Sequence, residues 1–168
     1  MGNIERNSYV ENAIINSTVD LLKEKSFDEI NIREITNAAQ VSRNSFYRNF
    51  SSKESILQQH IKNLLTAWDD EYQASGKKSN PELFGSLFKH LKYNSNFYLL
   101  LRERGLFYLF RNVFLDIYGV KQELNNMEAY TVSFIMHGTL GWIEEWLNRG
   151  MQEADDDMAK LLSSYGMK

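Results

Sequence analysis

Arg43, Asn44, Tyr47 and Arg48, with Lys53 a few residues on, are the side chains whose types and spacing suit a defined chemistry. On a helix, positions 43, 44, 47 and 48 lie on one side. A guanidinium there can grip a guanine edge or a phosphate, an asparagine amide pairs with adenine, and a tyrosine hydroxyl donates to a phosphate. Residues 33 to 53 hold Arg33, Arg43, Arg48 and Lys53 against Glu34 alone, in a chain whose net charge is −3. A small cationic face on an acidic body suits a reader of particular duplex sites better than an indiscriminate coat.

No comparable set points to catalysis. His60, His90 and His137 are scattered, with no H-x-x-x-H pair for a metal, no phosphate-cradling glycine loop and no nucleophile elbow. Glu144 and Glu145 are adjacent on a helical stretch and diverge in direction. The run Asp155, Asp156, Asp157 reads as a helix cap and solvated face rather than a metal site. No enzymatic activity, cofactor or metal is expected.

The elements that must position the cationic set are two short helices around a tight turn, a helix-turn-helix whose second helix would enter the major groove. Asn31 is the N-cap of the first, with Glu34 in capping-box position, and Ile32, Ile35, Ala38 and Ala39 form its inward face. Val41 plugs the turn, Ser42 caps the second helix, and Phe46 and Phe50 bury one side of it. Ser51 and Glu54 repeat the box spacing and open a further helix. Lys53 in its first turn opposes the macrodipole, and a shared phosphate would explain it.

The run from Phe27 through Leu57, about a fifth of the chain, resembles the N-terminal DNA-binding domain of the TetR family of bacterial transcriptional regulators. In that family a helix patterned I-A-x-x-A-G-V-S leads into a recognition helix resembling K-G-T-F-Y-x-Y-F and then S-K-E. The matching positions here read Ile35 to Ser42 (ITNAAQVS), Arg43 to Phe50 (RNSFYRNF) and Ser52-Lys53-Glu54. The resemblance implies phosphate contacts by Tyr47 and Lys53. Arg43, Asn44 and Ser45 are then candidates for base edges, Arg48 for either, and Arg33, Thr36, Gln40 and Ser42 for backbone contacts. Three positions depart from the pattern. Thr36 stands for a small core alanine, Asn44 for a glycine that lets the helix approach the backbone, and Gln40 for the turn glycine. Gln40 must therefore accept a left-handed conformation, at about 1–2 kcal/mol, or change the turn.

With 168 residues, 43% of them apolar, the chain can bury one core or two small ones. The absence of cysteine fits a reducing bacterial cytoplasm. No signal run, myristoylation motif or membrane-length apolar stretch is present, so no membrane association is expected. A first helix over residues 6–25, with Val10, Ala13, Ile14, Ser17 and Leu21 inward, braces the reading head. A stripe of Leu57, Ile61, Leu64, Leu65 and Trp68 carries the helix begun near Ser52 to about Gln73. ASGKKSNP, residues 74–81, is the clearest linker, and helices follow over about 81–94, 96–104, 106–119, 126–149 and 153–165.

The predicted fold is all-α: an N-terminal three-helix DNA-binding domain with its connecting helix (1–73), then a helical dimerisation and regulatory bundle (74–168). Residues 129–150 are apolar nearly all round, which calls for burial on both sides. Mid-helix Gly138 and Gly141 would admit a partner helix. The layout is similar to the dimerisation helix of TetR-type regulators. Phe134, Gly138, Gly141, Trp142 and Glu145, with Leu161 and Tyr165 of the last helix, are the candidate interface of a four-helix contact. Phe97 to Tyr118 is crowded with aromatics. The family resemblance implies a pocket for an apolar or aromatic effector, for which Trp68, Phe97, Leu101, Phe110, Phe114 and His137 are candidates. Simple core packing is the commoner meaning of such a stripe and is favoured here. The expected function is a sequence-specific transcriptional regulator acting as a repressor. It would bind a palindromic operator as a homodimer, with half-site spacing linked to an effector or a protein partner. The alternative is a helical protein-interaction co-regulator of the same ancestry that has lost or altered its DNA reading.

Overall fold

The computed structural model describes residues 3–76 and 79–164. Among these residues every regular element is a helix: α1 (Asn3–Glu24), α2 (Ile32–Ala38), α3 (Arg43–Asn49), α4 (Lys53–Ala74), α5 (Asn80–Tyr93), α6 (Ser95–Glu103), α7 (Phe107–Tyr118), α8 (Asn126–Asn148) and α9 (Asp155–Ser164). The C-terminal helices begin and end within two residues of the predicted positions. Two compact units result, Met1–Lys62 and Asn63–Lys168, and the division falls inside α4. No described helix is long and apolar enough to cross a membrane.

In the first unit α1, α2 and α3 pack on one another around Ile14, Ile15, Leu22, Ile35 and Phe46. The buried face of α1 is turned slightly from the expected one. Ile14, Ile15, Thr18 and Leu22 are buried, whereas Val10, Ala13, Ser17 and Leu21 are half-buried. Thr18 is tolerated there because its hydroxyl donates to the Ile14 carbonyl at 2.8 Å, leaving no unsatisfied donor. The predicted capping box of α2 forms in both directions: Asn31 Oδ1 accepts from the Glu34 N–H, and Glu34 accepts from the Asn31 N–H. Lys25 adds an ion pair to Glu34. The box at α4 lies one residue later than Ser51 and Glu54. Ser52 Oγ accepts from the Ser55 N–H at 3.2 Å, and Ser55 Oγ accepts from the Ser52 N–H at 3.1 Å.

In the second unit α5 packs on α9, while α6 and α7 pack on α8. Its core is an aromatic ladder. Tyr98 meets Phe110 edge-on with centroids 5.4 Å apart, Phe110 stacks on Phe107 and Phe114, and Phe88 meets Trp146 edge-on at 5.4 Å. Asn125 and Glu128 form a further capping box at the start of α8.

His90 sits at the edge of this ladder, its Nε2 3.1 Å from the Tyr98 hydroxyl and its ring 6.2 Å from Trp68. Burial holds its pKa down at about 4, so the folded protein carries it neutral. An unfolded chain protonates it near pH 6.5. Between those values the unfolded state binds more protons, and stability falls as the pH drops. Allowing for partial exposure, about 2 kcal/mol should be lost between pH 7 and 4.5 through this group. Urea denaturation at the two pH values should show that loss in the wild type and a clearly smaller one in His90→Gln. Equal losses would remove His90 as the cause.

Candidate nucleic-acid interface and cavity

The predicted turn between α2 and α3 forms, and Gln40 adopts the left-handed option, with φ +53°. Its N–H donates to the Asn37 carbonyl, and the Val41 N–H donates to the Thr36 carbonyl. The turn geometry that a glycine would supply is thus kept at a cost of about 1 kcal/mol or more. Gln40→Gly should raise the stability of the protein by about 0.5–1 kcal/mol, since relief of strain outweighs the added freedom of the unfolded chain. A melting temperature unchanged or lowered would contradict this.

Across the turn, Ser42 Oγ accepts from the Ser45 N–H at 3.1 Å and starts α3. Phe46 and Phe50 are buried with ring centroids 6.1 Å apart, which fixes the roll of this short helix. The opposite face is therefore presented outward. Arg43, Asn44 and Arg48 are exposed, and Tyr47 is 60% exposed with its ring edge-on to Phe46 at 5.3 Å. Among the described residues, no ion pair uses Arg43 or Arg48. Arg33 and Gln40 are also exposed; Ser45 is half-buried, and its hydroxyl lies 3.0 Å from that of Ser42.

Two expected contacts have other employment. Thr36 is 3% exposed, and its hydroxyl donates to the Arg33 carbonyl, so it is a core residue with no free group to offer a phosphate. Lys53 Nζ donates to the carbonyls of Phe27 at 2.8 Å and Ile30 at 2.7 Å and lies 4.6 Å from the Phe27 ring centroid. These two carbonyls give the cation at the start of α4 negative partners within the protein, and it ties them to the helix. Both partners lie more than 20 residues upstream, beyond the reach of local spacing rules.

In the second unit, a cavity of about 590 Å³ lies among α4, α5, α7 and α8. Of the six residues expected in a pocket, it is lined by Trp68 and Phe114. Phe97, Leu101 and Phe110 are buried in the aromatic ladder, and His137 is exposed with Nδ1 2.9 Å from the Ser133 carbonyl. Tyr72, Phe84, Tyr118 and Phe134, which the sequence reading did not place in a pocket, complete its aromatic wall. Trp68 and Tyr72 are four apart on α4, a spacing that shows a shared face but not what faces it. On the outer side of α8, Phe134 is 77% exposed, and Tyr130, Gly138, Gly141 and Glu145 are exposed beside it. Trp142 is half-buried and Leu161 is exposed; Tyr165 lies outside the described residues. A Cβ built on Gly138 or Gly141 meets nothing within 4 Å in the protomer.

The family profile described as "Bacterial regulatory proteins, tetR family" matches residues 14–59, and the one described as "Transcriptional regulator C-terminal region" matches residues 78–167. No curated protein matches the chain in sequence. Among solved structures, the fatty acid degradation regulator FadR from Bacillus halodurans superposes with a TM-score of 0.64 at 15% identity. That match covers 99% of this chain and 96% of the other. With a helix-turn-helix whose outward face is built from arginine, asparagine and tyrosine, and with both profiles in register, the chain belongs to the TetR family of bacterial DNA-binding transcriptional regulators.

Proposed function

We propose that the protein is a repressor that binds a palindromic operator in the bacterial cytoplasm as a homodimer and leaves it when a small molecule occupies the cavity of the second unit. The observation that carries this reading is the face of α3, where Arg43, Asn44, Tyr47 and Arg48 stand outward from a helix anchored by Phe46 and Phe50. Retention of the turn at Gln40 favours working DNA recognition over its loss. One such helix touches few base pairs, so two copies on half-sites about 34–36 Å apart, or a multiple of that, are needed for useful selectivity.

The second copy would dock on the exposed face of α8, which carries Phe134, Gly138 and Gly141. Phe134 also lines the cavity. Along its length α4 carries four cavity residues, Trp68, Asp69, Tyr72 and Gln73, and core residues of the first unit, Ile56, Leu57 and Ile61. A ligand that fits one arrangement of α4 and α8 better than another would shift the spacing of the two reading heads, and affinity with it. The protein should retard a duplex taken from upstream of its own gene, with affinity falling steeply between 50 and 200 mM salt, on the order of 10³-fold or more if six or more phosphates are contacted. Equal retardation of unrelated duplexes would sink the operator reading.

A further inference from the structure

In the cavity among α4, α5, α7 and α8, most side-chain polar hydrogens of the wall, those of Asn80 excepted, are already spent on the protein. Trp68 Nε1–H donates to Ser86 Oγ at 2.8 Å, and the Tyr72 hydroxyl donates to the Ser79 carbonyl at 3.3 Å. The Tyr118 hydroxyl donates to the Leu65 carbonyl at 3.5 Å. The wall threonines behave in the same way: Thr131 donates to the Met127 carbonyl and Thr139 to the Ile135 carbonyl, both at 2.8 Å. Their oxygens are left as acceptors. Of the two wall amides, Gln73 turns its Nε2 toward Asp69 Oδ1 at 3.4 Å, and that of the exposed Asn80 is the donor the wall still offers.

The charge is equally one-sided. Asp69 is the one charged residue among those lining the cavity, and no described lysine, arginine or histidine joins it there. The arginines of the neighbouring helices are committed elsewhere, Arg111 to Glu144 and Arg102 to Asn148. Burial, and to a smaller extent the nearby Asp69 and Asp70, pushes the Tyr118 hydroxyl up to about 12. The remaining surface is aromatic. Trp68 and Tyr72 stack at 27°, Tyr118 stands at 77° to Trp68, and Phe114 lies 5.1 Å from Tyr118. Ring faces, acceptor lone pairs and one carboxylate all favour positive charge. A carboxylate or phosphate placed here would face Asp69 without a counter-ion.

We propose that the cavity takes a lipophilic organic cation, with its charge beside Asp69 and its apolar groups against Trp68, Tyr72, Phe84, Phe114 and Tyr118. This rests on the reading of the cavity as a ligand site, and its volume of about 590 Å³ is of the size that holds a drug-sized molecule. The probes are tetraphenylphosphonium, its isosteric anion tetraphenylborate and the neutral triphenylmethanol, titrated into the full-length protein. Tryptophan fluorescence and calorimetry are the readouts. Tetraphenylphosphonium should bind saturably and about tenfold or more tighter than tetraphenylborate. Asp69→Asn should weaken the cation about three- to tenfold and leave triphenylmethanol unchanged. Glu71→Gln, which removes an acid outside this cavity, should change neither. If the anion binds as tightly as the cation, or Asp69→Asn leaves the cation's affinity unchanged, the charge preference is overturned while the ligand site stands. If none of the three probes binds the folded protein below about 1 mM, the ligand site itself falls.

Discussion

Arg43→Ala should lower the affinity of the proposed dimer for its operator by about 30-fold to 10⁴-fold. Each good arginine contact to a base edge contributes about 1–3 kcal/mol of discrimination, and a twofold complex loses it twice. The fold should be spared, because Arg43 is exposed and pairs with no described carboxylate; its removal should change stability by less than about 0.5 kcal/mol. Tyr47→Phe makes a sharper companion. It keeps the ring that lies edge-on to Phe46 and deletes only the hydroxyl, so its loss should be smaller and spread evenly over operator and unrelated DNA. Competition binding with specific and non-specific duplexes separates the two. If both variants bind the operator like the wild type, the face assigned to α3 is not the one that reads DNA.

A comparable effect is expected from the opposite end of the molecule's sequence. Gly138→Leu should convert the proposed dimer to monomers at micromolar concentration and lower operator affinity by more than about 100-fold, through loss of the linked second half-site. The reasoning starts from what the glycine costs. In mid-helix it is about 1 kcal/mol worse than alanine, and within the protomer a Cβ there would touch nothing within 4 Å. Nothing in the described chain itself therefore needs Gly138 or Gly141 to be small. A helix of a second copy, crossing close beside exposed Phe134 and Tyr130, would need it. Sedimentation or a sizing column gives the answer directly. A Gly138→Leu protein that stays dimeric and melts higher than the wild type would place the interface elsewhere.

Lys53 shows where sequence reading reaches its limit. Its position at a helix start demands a negative partner, and local spacing offers only a phosphate from outside the chain. The carbonyls of Phe27 and Ile30 then turn out to supply the charge complement. Thr36 is similar: it belongs to a motif in which Arg33 and Gln40 are exposed, yet the roll of α2 buries it. The ladder of Phe97, Phe110 and Phe114 was legible as a buried aromatic stripe. Which of those rings fill the core and which border a cavity depends on how α4, α5, α7 and α8 meet, and no local spacing records that.

By itself the sequence determined the helices, the caps of α2 and α3 and the outward face of α3. These follow from contacts between residues three or four apart, such as Asn31 with Glu34 and Phe46 with Phe50, whose energies are local. Only the tertiary structure decided that Lys53 ties carbonyls, that Thr36 is core, and that Tyr72, Phe84, Tyr118 and Phe134 share a cavity with Asp69. Those outcomes join residues far apart in the chain, and they are set by how whole helix faces pack, a collective balance of burial and hydrogen-bond satisfaction that no single stretch of sequence contains.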